Sequence, residues 1–165
     1  MIIREIRTSD AEKLTSLIQQ VEENSQYMLW EEGERSLQPE NQLKMIEIMK
    51  KSENSTILIA EDENKLVGYL LINGGKSRRN KHSGYIVIGI HKKFRGKGIG
   101  TLLFEELNQW AFKHNLHRLE LTVVTRNKAA LALYQKIGFE IEGTKRDSLF
   151  INGEYLDEYY MSKIL

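Results

Sequence analysis

The apolar positions fall into short blocks whose period changes along the chain. Residues 2–6 alternate and predict an opening strand. Ser9 and Asp10 can cap the helix that follows, where Leu14, Leu17, Ile18 and Val21 recur at helical spacing. Residues 24–38 keep no clean period and read as a loop or broken helix. Pro39, the one proline, opens a second helix with Leu43, Ile46 and Met49 on one face. Residues 56–60 and 65–72 read as hairpin strands around Asp62-Glu63-Asn64, the second ended by Asn73-Gly74-Gly75. Residues 85–90 are a nearly unbroken β-branched run, as in a strand covered on both faces. A long helix follows on Leu102, Leu103, Leu107, Trp110 and Ala111, then a strand at 118–124. Asn127 can cap a short helix that Gly138 stops, residues 140–141 form a short strand, and a closing hairpin turns at Asn152-Gly153. The order β-α-α-β-β-β-α-β-α-β-β predicts an α/β (α+β) fold, a mixed and mostly antiparallel central sheet with helices on both faces.

Between the 85–90 strand and its helix lies Arg95-Gly96-Lys97-Gly98-Ile99-Gly100-Thr101, preceded by Lys92 and Lys93. Glycine lets a backbone approach a ligand closely, and a helix start offers unpaired N–H groups and a positive dipole end. With four cations beside it, such a turn suits a phosphate or pyrophosphate. Two familiar phosphate loops fit poorly. A Walker loop needs Lys-Ser/Thr after its last glycine, where Thr101-Leu102 stand here. The dinucleotide fingerprint needs a third glycine where Leu103 or Thr101 stands, and His91 to Phe94 separate this turn from its strand.

Arg-Gly-x-Gly-Ile-Gly after an Ile-x-x-x-Phe strand exit resembles motif A of the GNAT N-acetyltransferase superfamily. Asn127-Lys128-Ala129-Ala130-Leu131-Ala132-Leu133-Tyr134-Gln135-Lys136-Ile137-Gly138-Phe139 is similar to its motif B, and the two blocks stand in order with a strand between them. The resemblance covers residues 83–139 at least and departs where many members have proline and this chain has Lys92. The tail, Glu142 to Arg146 and then Asn152 to Glu158, is similar to bacterial proteins near the ribosomal-protein and amino-acid N-acetyltransferases.

The resemblance implies acetyl-coenzyme A as cosubstrate. Arg95, Gly96, Lys97, Gly98, Ile99, Gly100 and Thr101 would cradle its pyrophosphate. In the family the preceding strand bulges and splays from its neighbour, so Ile88 and Ile90 would offer main-chain groups to the pantetheine arm. Gly89 fits either that bulge or tight packing. Asn127 and Tyr134 lie seven residues apart and share a helix face. Asn127 is read as both cap and pantetheine contact, Tyr134 as the acid that protonates the leaving thiolate. For the general base the chemistry offers His82, His91, Glu32, Glu34 and Glu120, or a water chain.

Composition narrows the rest. The 165 residues suit one domain, 1–165, with no linker, repeat or low-complexity segment. Net charge is +1 with both signs interleaved, which argues against nucleic acid or an anionic membrane as partner. Arg4 and Glu5 break the opening apolar run, so no secretory leader is expected, and no stretch reaches membrane-span length. With no cysteine, disulfides, thiolate metal sites and a cysteine acyl-enzyme are excluded, and a cytoplasmic setting fits. His82, His91, His114 and His117 lack metal-helix spacing, so no metal is assigned. The expected function is direct acetyl transfer to a primary amine of a small molecule, amino acid or peptide N-terminus. The alternatives are a non-catalytic acetyl-coenzyme A sensor or accessory protein and, less well supported, a nucleotide-binding module. Homodimers are common among such proteins and stay open here. Tyr27, Met28, Leu29, Trp30, Glu31, Glu32, Glu34 and Arg35 are the candidate acceptor cluster, whose carboxylates suit an ammonium and whose Arg35 suits an amino-acid carboxylate.

Overall fold

A computed structural model describes all 165 residues. Seven strands form one sheet: β1 (Ile2–Glu5), β2 (Thr56–Asp62), β3 (Lys65–Gly74), β4 (Ser83–Ile90), β5 (Arg118–Val124), β6 (Glu140–Ile151) and β7 (Glu154–Ile164). Their spatial order is β1-β2-β3-β4-β5-β7-β6, and every pairing is antiparallel except β4 with β5. Four helices cover it: α1 (Ala11–Glu23), α2 (Pro39–Lys51), α3 (Ile99–Lys113) and α4 (Lys128–Lys136). The expected mixed, mostly antiparallel sheet with helices on both faces is what forms.

Strand alternation divides the core in two. Ile57, Ile59 and Tyr69 meet Leu14, Leu17, Ile18 and Ile46 of α1 and α2. Leu58, Leu70, Ile86, Leu119 and Leu121 meet Leu103, Phe104 and Leu107 of α3 on the opposite face. The central strands are thus buried on both sides, which is why they read as continuous apolar runs. Two-residue turns join the hairpins, with Glu63 and Asn64 at φ of 46° and 64° and Asn152 and Gly153 at 51° and 79°. Positive φ at both central positions matches the strand twist.

Four expectations need correction. Asp10 stands at the α1 N-cap but makes no side-chain cap bond there. Its carboxylate instead takes the Arg7 amide at 2.8 Å and both Arg4 amino groups, at 2.8 and 3.0 Å. Leu102, read on the apolar face of α3, is exposed. The strand expected at 140–141 continues to Ile151, with register shifts between Ile141 and Gly143 and between Lys145 and Leu149. The β3–β4 register is unbroken around Gly89, so no bulge forms in that pair.

Candidate active site

The site is built where β4 and β5 part. They pair only from Ser83–Arg118 to Tyr85–Glu120, although both strands run on. His91 donates its amide to the Val67 carbonyl and Gly75 donates to Ser83, which fixes the phase of the β3–β4 ladder. Odd-numbered β4 residues therefore bond to β3, and Ile88 and Ile90 turn their main-chain groups into the opening. The Ile90 carbonyl accepts Arg95 Nε at 3.1 Å, and Arg95 Nη1 also reaches the Asn24 carbonyl at 3.1 Å. That guanidinium ties the end of α1 to the end of β4.

The glycine turn closes one end of the opening. Gly96 and Gly98 lie at φ of 72° and 80°, the left-handed region, and a Cβ on either would meet nothing within 4 Å. The first bond into α3 runs from the Leu102 amide to the Gly98 carbonyl at 3.1 Å. Amides of Ile99, Gly100 and Thr101 are thereby left without helical acceptors. Open space, free N–H groups and a helix start meet at one point, so the turn can take an anion. Lys97 extends from it with Nζ 4.9 Å from the Phe94 ring centroid. Ile99 is buried in the core and contributes its main chain only. Gly100 has a different reason for being glycine: a Cβ there would stand 2.6 Å from Leu133 Cδ2 of α4.

That contact brings α4 against the turn, and Tyr134 is the next residue along. Its ring packs edge-on against Phe104 and tilted to Phe139, with centroids 5.9 and 6.2 Å away. The side chain is 8% exposed, yet its hydroxyl makes no protein hydrogen bond and still reaches solvent. Burial, and then the nearby Tyr85 hydroxyl, push the phenol well above the usual tyrosine range. It therefore keeps its proton at neutral pH. Tyr85 itself bridges the mouth of the opening to Thr122 at 2.8 Å. Asn127, beyond the end of β5, caps α4 by accepting the Ala130 amide at 3.3 Å.

A family model for the acetyltransferase (GNAT) family matches residues 17–139. The chain belongs to the GNAT acetyltransferase family. L-amino acid N-acetyltransferase AaaT of Escherichia coli (strain K12) is 33% identical over 111 residues, which cover 65% of this chain and 67% of that protein. Matches to further curated N-acetyltransferases span 36–52% of those proteins' length. The crystal structure of a GNAT acetyltransferase from Streptococcus pneumoniae superposes with a TM-score of 0.96 at 33% identity, over 99% of each chain. Ribosomal-protein-alanine N-acetyltransferase from Brucella melitensis gives 0.87 at 29%, over the whole of both chains. This acetyltransferase is thus an acyltransferase with relatives among both the amino-acid and the ribosomal-protein enzymes.

The proposed bases of this GNAT chain are scattered: His82 and Glu120 line one surface pocket with Tyr85 and Arg118 at the paired end of β4 and β5, and the other three stand apart from it. His82 precedes β4 at the end opposite the glycine turn, about 25 Å away by strand rise. His91 Nδ1 accepts the Lys93 amide at 3.2 Å. Glu120 is held by Arg118 at 2.9 Å, and the same guanidinium grips Glu142 at 2.7 Å and lowers that carboxyl's pKa. Glu32 and Glu34 are exposed, with Glu34 bonded to the Glu31 amide at 2.9 Å. No group of His, Asp and Glu is arranged to hold a metal ion, and no helix is long and apolar enough to cross a membrane. Tyr69, Tyr85, Thr122 and Glu22 were missed from the sequence. The strand alternation places the first three on the same sheet face, but the parting of β4 and β5, which gives that face its meaning, is non-local.

Proposed function

We propose that this acetyltransferase binds acetyl-coenzyme A along β4 and the glycine turn and passes the acetyl group directly to a primary amine. The observation that carries the reading is the meeting of an unpaired β4 edge and an open left-handed glycine turn, with a phenol that has no protein partner on α4 packed against that turn. Amides of Ile99, Gly100 and Thr101 and the Lys97 cation would hold the pyrophosphate, with Gly96 and Gly98 giving it room. Arg95, already bonded to Ile90 and Asn24, would brace the turn as much as touch the anion. Ile88 and Ile90 would pair with the pantetheine amides like an added strand, and the Asn127 amide group, on the far side of the opening, would complete that contact.

Acetyl-coenzyme A supplies an activated thioester. The amine nitrogen bonds to the acetyl carbon, the carbon–sulfur bond breaks, and the Tyr134 phenol gives its proton to the departing sulfur; the proton that the nitrogen sheds as the amide forms then restores the phenol by way of solvent. An alkylammonium of pKa about 10 must first lose a proton. With His82, His91, Glu32, Glu34 and Glu120 placed as above, this reading assigns that step to a water chain. The reading takes residues 1–165 as one N-acetyltransferase domain working in the cytoplasm, as a homodimer or alone, on a small amine, an amino acid or a peptide N-terminus.

Two measurements test this. Acetyl-coenzyme A, but not ATP or NAD, should raise the melting temperature. Thiol release should then depend on an added primary amine. A shift with ATP alone, or a shift with acetyl-coenzyme A and no amine-dependent thiol release, would refute the reading.

A further inference from the structure

On the sheet face that carries α1 and α2, a second cluster meets beside Gly89, and none of its members belongs to the glycine turn or α4. Glu22, in the last turn of α1, is 6% exposed. A carboxylate that deep needs a partner. It has Arg35, which donates through Nε, at 3.1 Å, and through Nη2 to the same oxygen. The guanidinium also lies 5.2 Å from the Trp30 ring centroid. Pair and stack fix the fork, while Nη1 has no protein acceptor and the side chain keeps 36% of its surface exposed. The outer edge of a guanidinium held this way offers donors spaced for a carboxylate.

Tyr69 of β3 supplies the other half. It faces Gly89 across the strand pair. A Cβ on Gly89 would stand 2.5 Å from the Tyr69 ring and 2.7 Å from its hydroxyl. The ring therefore lies over the glycine backbone, between the two residues whose main chain turns into the opening. The hydroxyl makes no protein hydrogen bond, although the residue is 5% exposed. Tyr69 packs in one core cluster with Val21, the neighbour of Glu22, and with Met28 of the segment that carries Arg35. Burial raises the phenol's pKa, the Glu22 charge raises it further, and the Arg35 charge opposes them.

We propose that this cluster is an acceptor site that selects amino-acid-type substrates. Arg35 takes the carboxylate, and the Tyr69 hydroxyl accepts a hydrogen bond from the amine beside Ile88 and Ile90. Glu22 is a positioning residue that aims Arg35 and does not touch the acceptor. The segment 24–38 then contributes a cation to recognition, not the carboxylates of Glu32 and Glu34. The inference rests on the acetyl-transfer reading above.

The test compares kcat/KM for an amino acid and for its own decarboxylated amine, leucine with isopentylamine and phenylalanine with phenethylamine. The protein should prefer the amino acid on the order of 30-fold or more, the scale of a hydrogen-bonded charge pair. Arg35→Met should collapse that preference by raising the amino acid KM, with acetyl-coenzyme A affinity retained. Because this variant strands Glu22, the Glu22→Gln/Arg35→Met double variant should regain thermal stability and still lack the preference. Tyr69→Phe should lower kcat/KM for both members of each pair. Equal turnover of amine and amino acid by the unmodified protein, or a preference that survives in the double variant, would overturn the assignment while leaving acetyl transfer standing. No thiol release with any acceptor would remove the acetyl-transfer reading and this one with it.

Discussion

Gly96, Gly98 and Gly100 sit two residues apart and are glycine for two unlike reasons. Gly96 and Gly98 occupy left-handed backbone with open space where a side chain would stand, whereas Gly100 has Leu133 against it. Gly98→Val should leave a folded protein by circular dichroism, at about 1–2 kcal/mol of backbone strain. Its acetyl-coenzyme A dissociation constant, read by calorimetry, should rise at least roughly tenfold as the pyrophosphate loses its approach. Gly100→Ala should instead change stability by less than about 1 kcal/mol, because the end of the Leu133 side chain can turn aside and alanine favours the helix. Unchanged affinity in the first variant would move the anion site elsewhere. Tyr134→Phe keeps the ring and removes the proton, so kcat should fall about 10²–10⁴-fold with cofactor affinity nearly unchanged. Because burial raises this phenol, the rate should show no alkaline fall assignable to Tyr134 below pH 10; such a limb near pH 8, lost in the phenylalanine variant, would contradict the assignment.

At the scale of elements, local signals were legible and distant partners were not. Asn127 and Gly138 mark the start and stop of α4, and Asn152-Gly153 marks the last hairpin, because caps and tight turns act over a few residues. Asp10 reads as a cap because an aspartate before an apolar helix is the general cap signal, whereas its carboxylate is taken by Arg4, whose guanidinium Glu61 of β2 also engages at 2.8 Å. The 140–141 strand and the first arm of the closing hairpin are one strand, and its middle is not legible because it is an exposed edge broken by two register shifts, so its polar residues carry no alternation. The Arg4–Asp10–Glu61 cluster carries its own prediction. Its side chains are largely buried, so Arg4→Met should cost about 3–5 kcal/mol by leaving carboxylates unpaired. The Arg4 guanidinium, against the opposing effect of burial, holds the Asp10 carboxyl below its ordinary value. Its contribution is thus present above the unfolded aspartate pKa of about 4 and fades as pH falls through the lowered folded value. Denaturant unfolding at pH 7 and pH 3 should show the Arg4→Met penalty shrinking in acid; an equal penalty at both would contradict the pairing.

Across the whole molecule, the sheet does two jobs with its two halves. β2 and β3 are sealed by α1 and α2 on one face and α3 on the other, which makes a stiff platform. β4 and β5 share that platform at one end and part at the other, so a main-chain edge opens inside the sheet instead of at its rim. Pattern and motif showed which strands exist and where the glycine turn lies. The parting itself follows from pairing between strands far apart in sequence, and only the resemblance to the GNAT fold pointed to it. The acceptor side was the least legible part, since Glu22, Arg35 and Tyr69 come from three segments with no shared motif. On the function proposed here, an acetyl group passes across this opening directly to an amine. Initial rates with acetyl-coenzyme A and leucine varied against each other, with products identified by mass, test it most directly. Intersecting double-reciprocal lines with one acetylated amine for each thiol released are predicted, since the chain has no cysteine to carry an acyl group. Parallel lines with an acetylated protein, or thiol release without an acetylated amine, would contradict it.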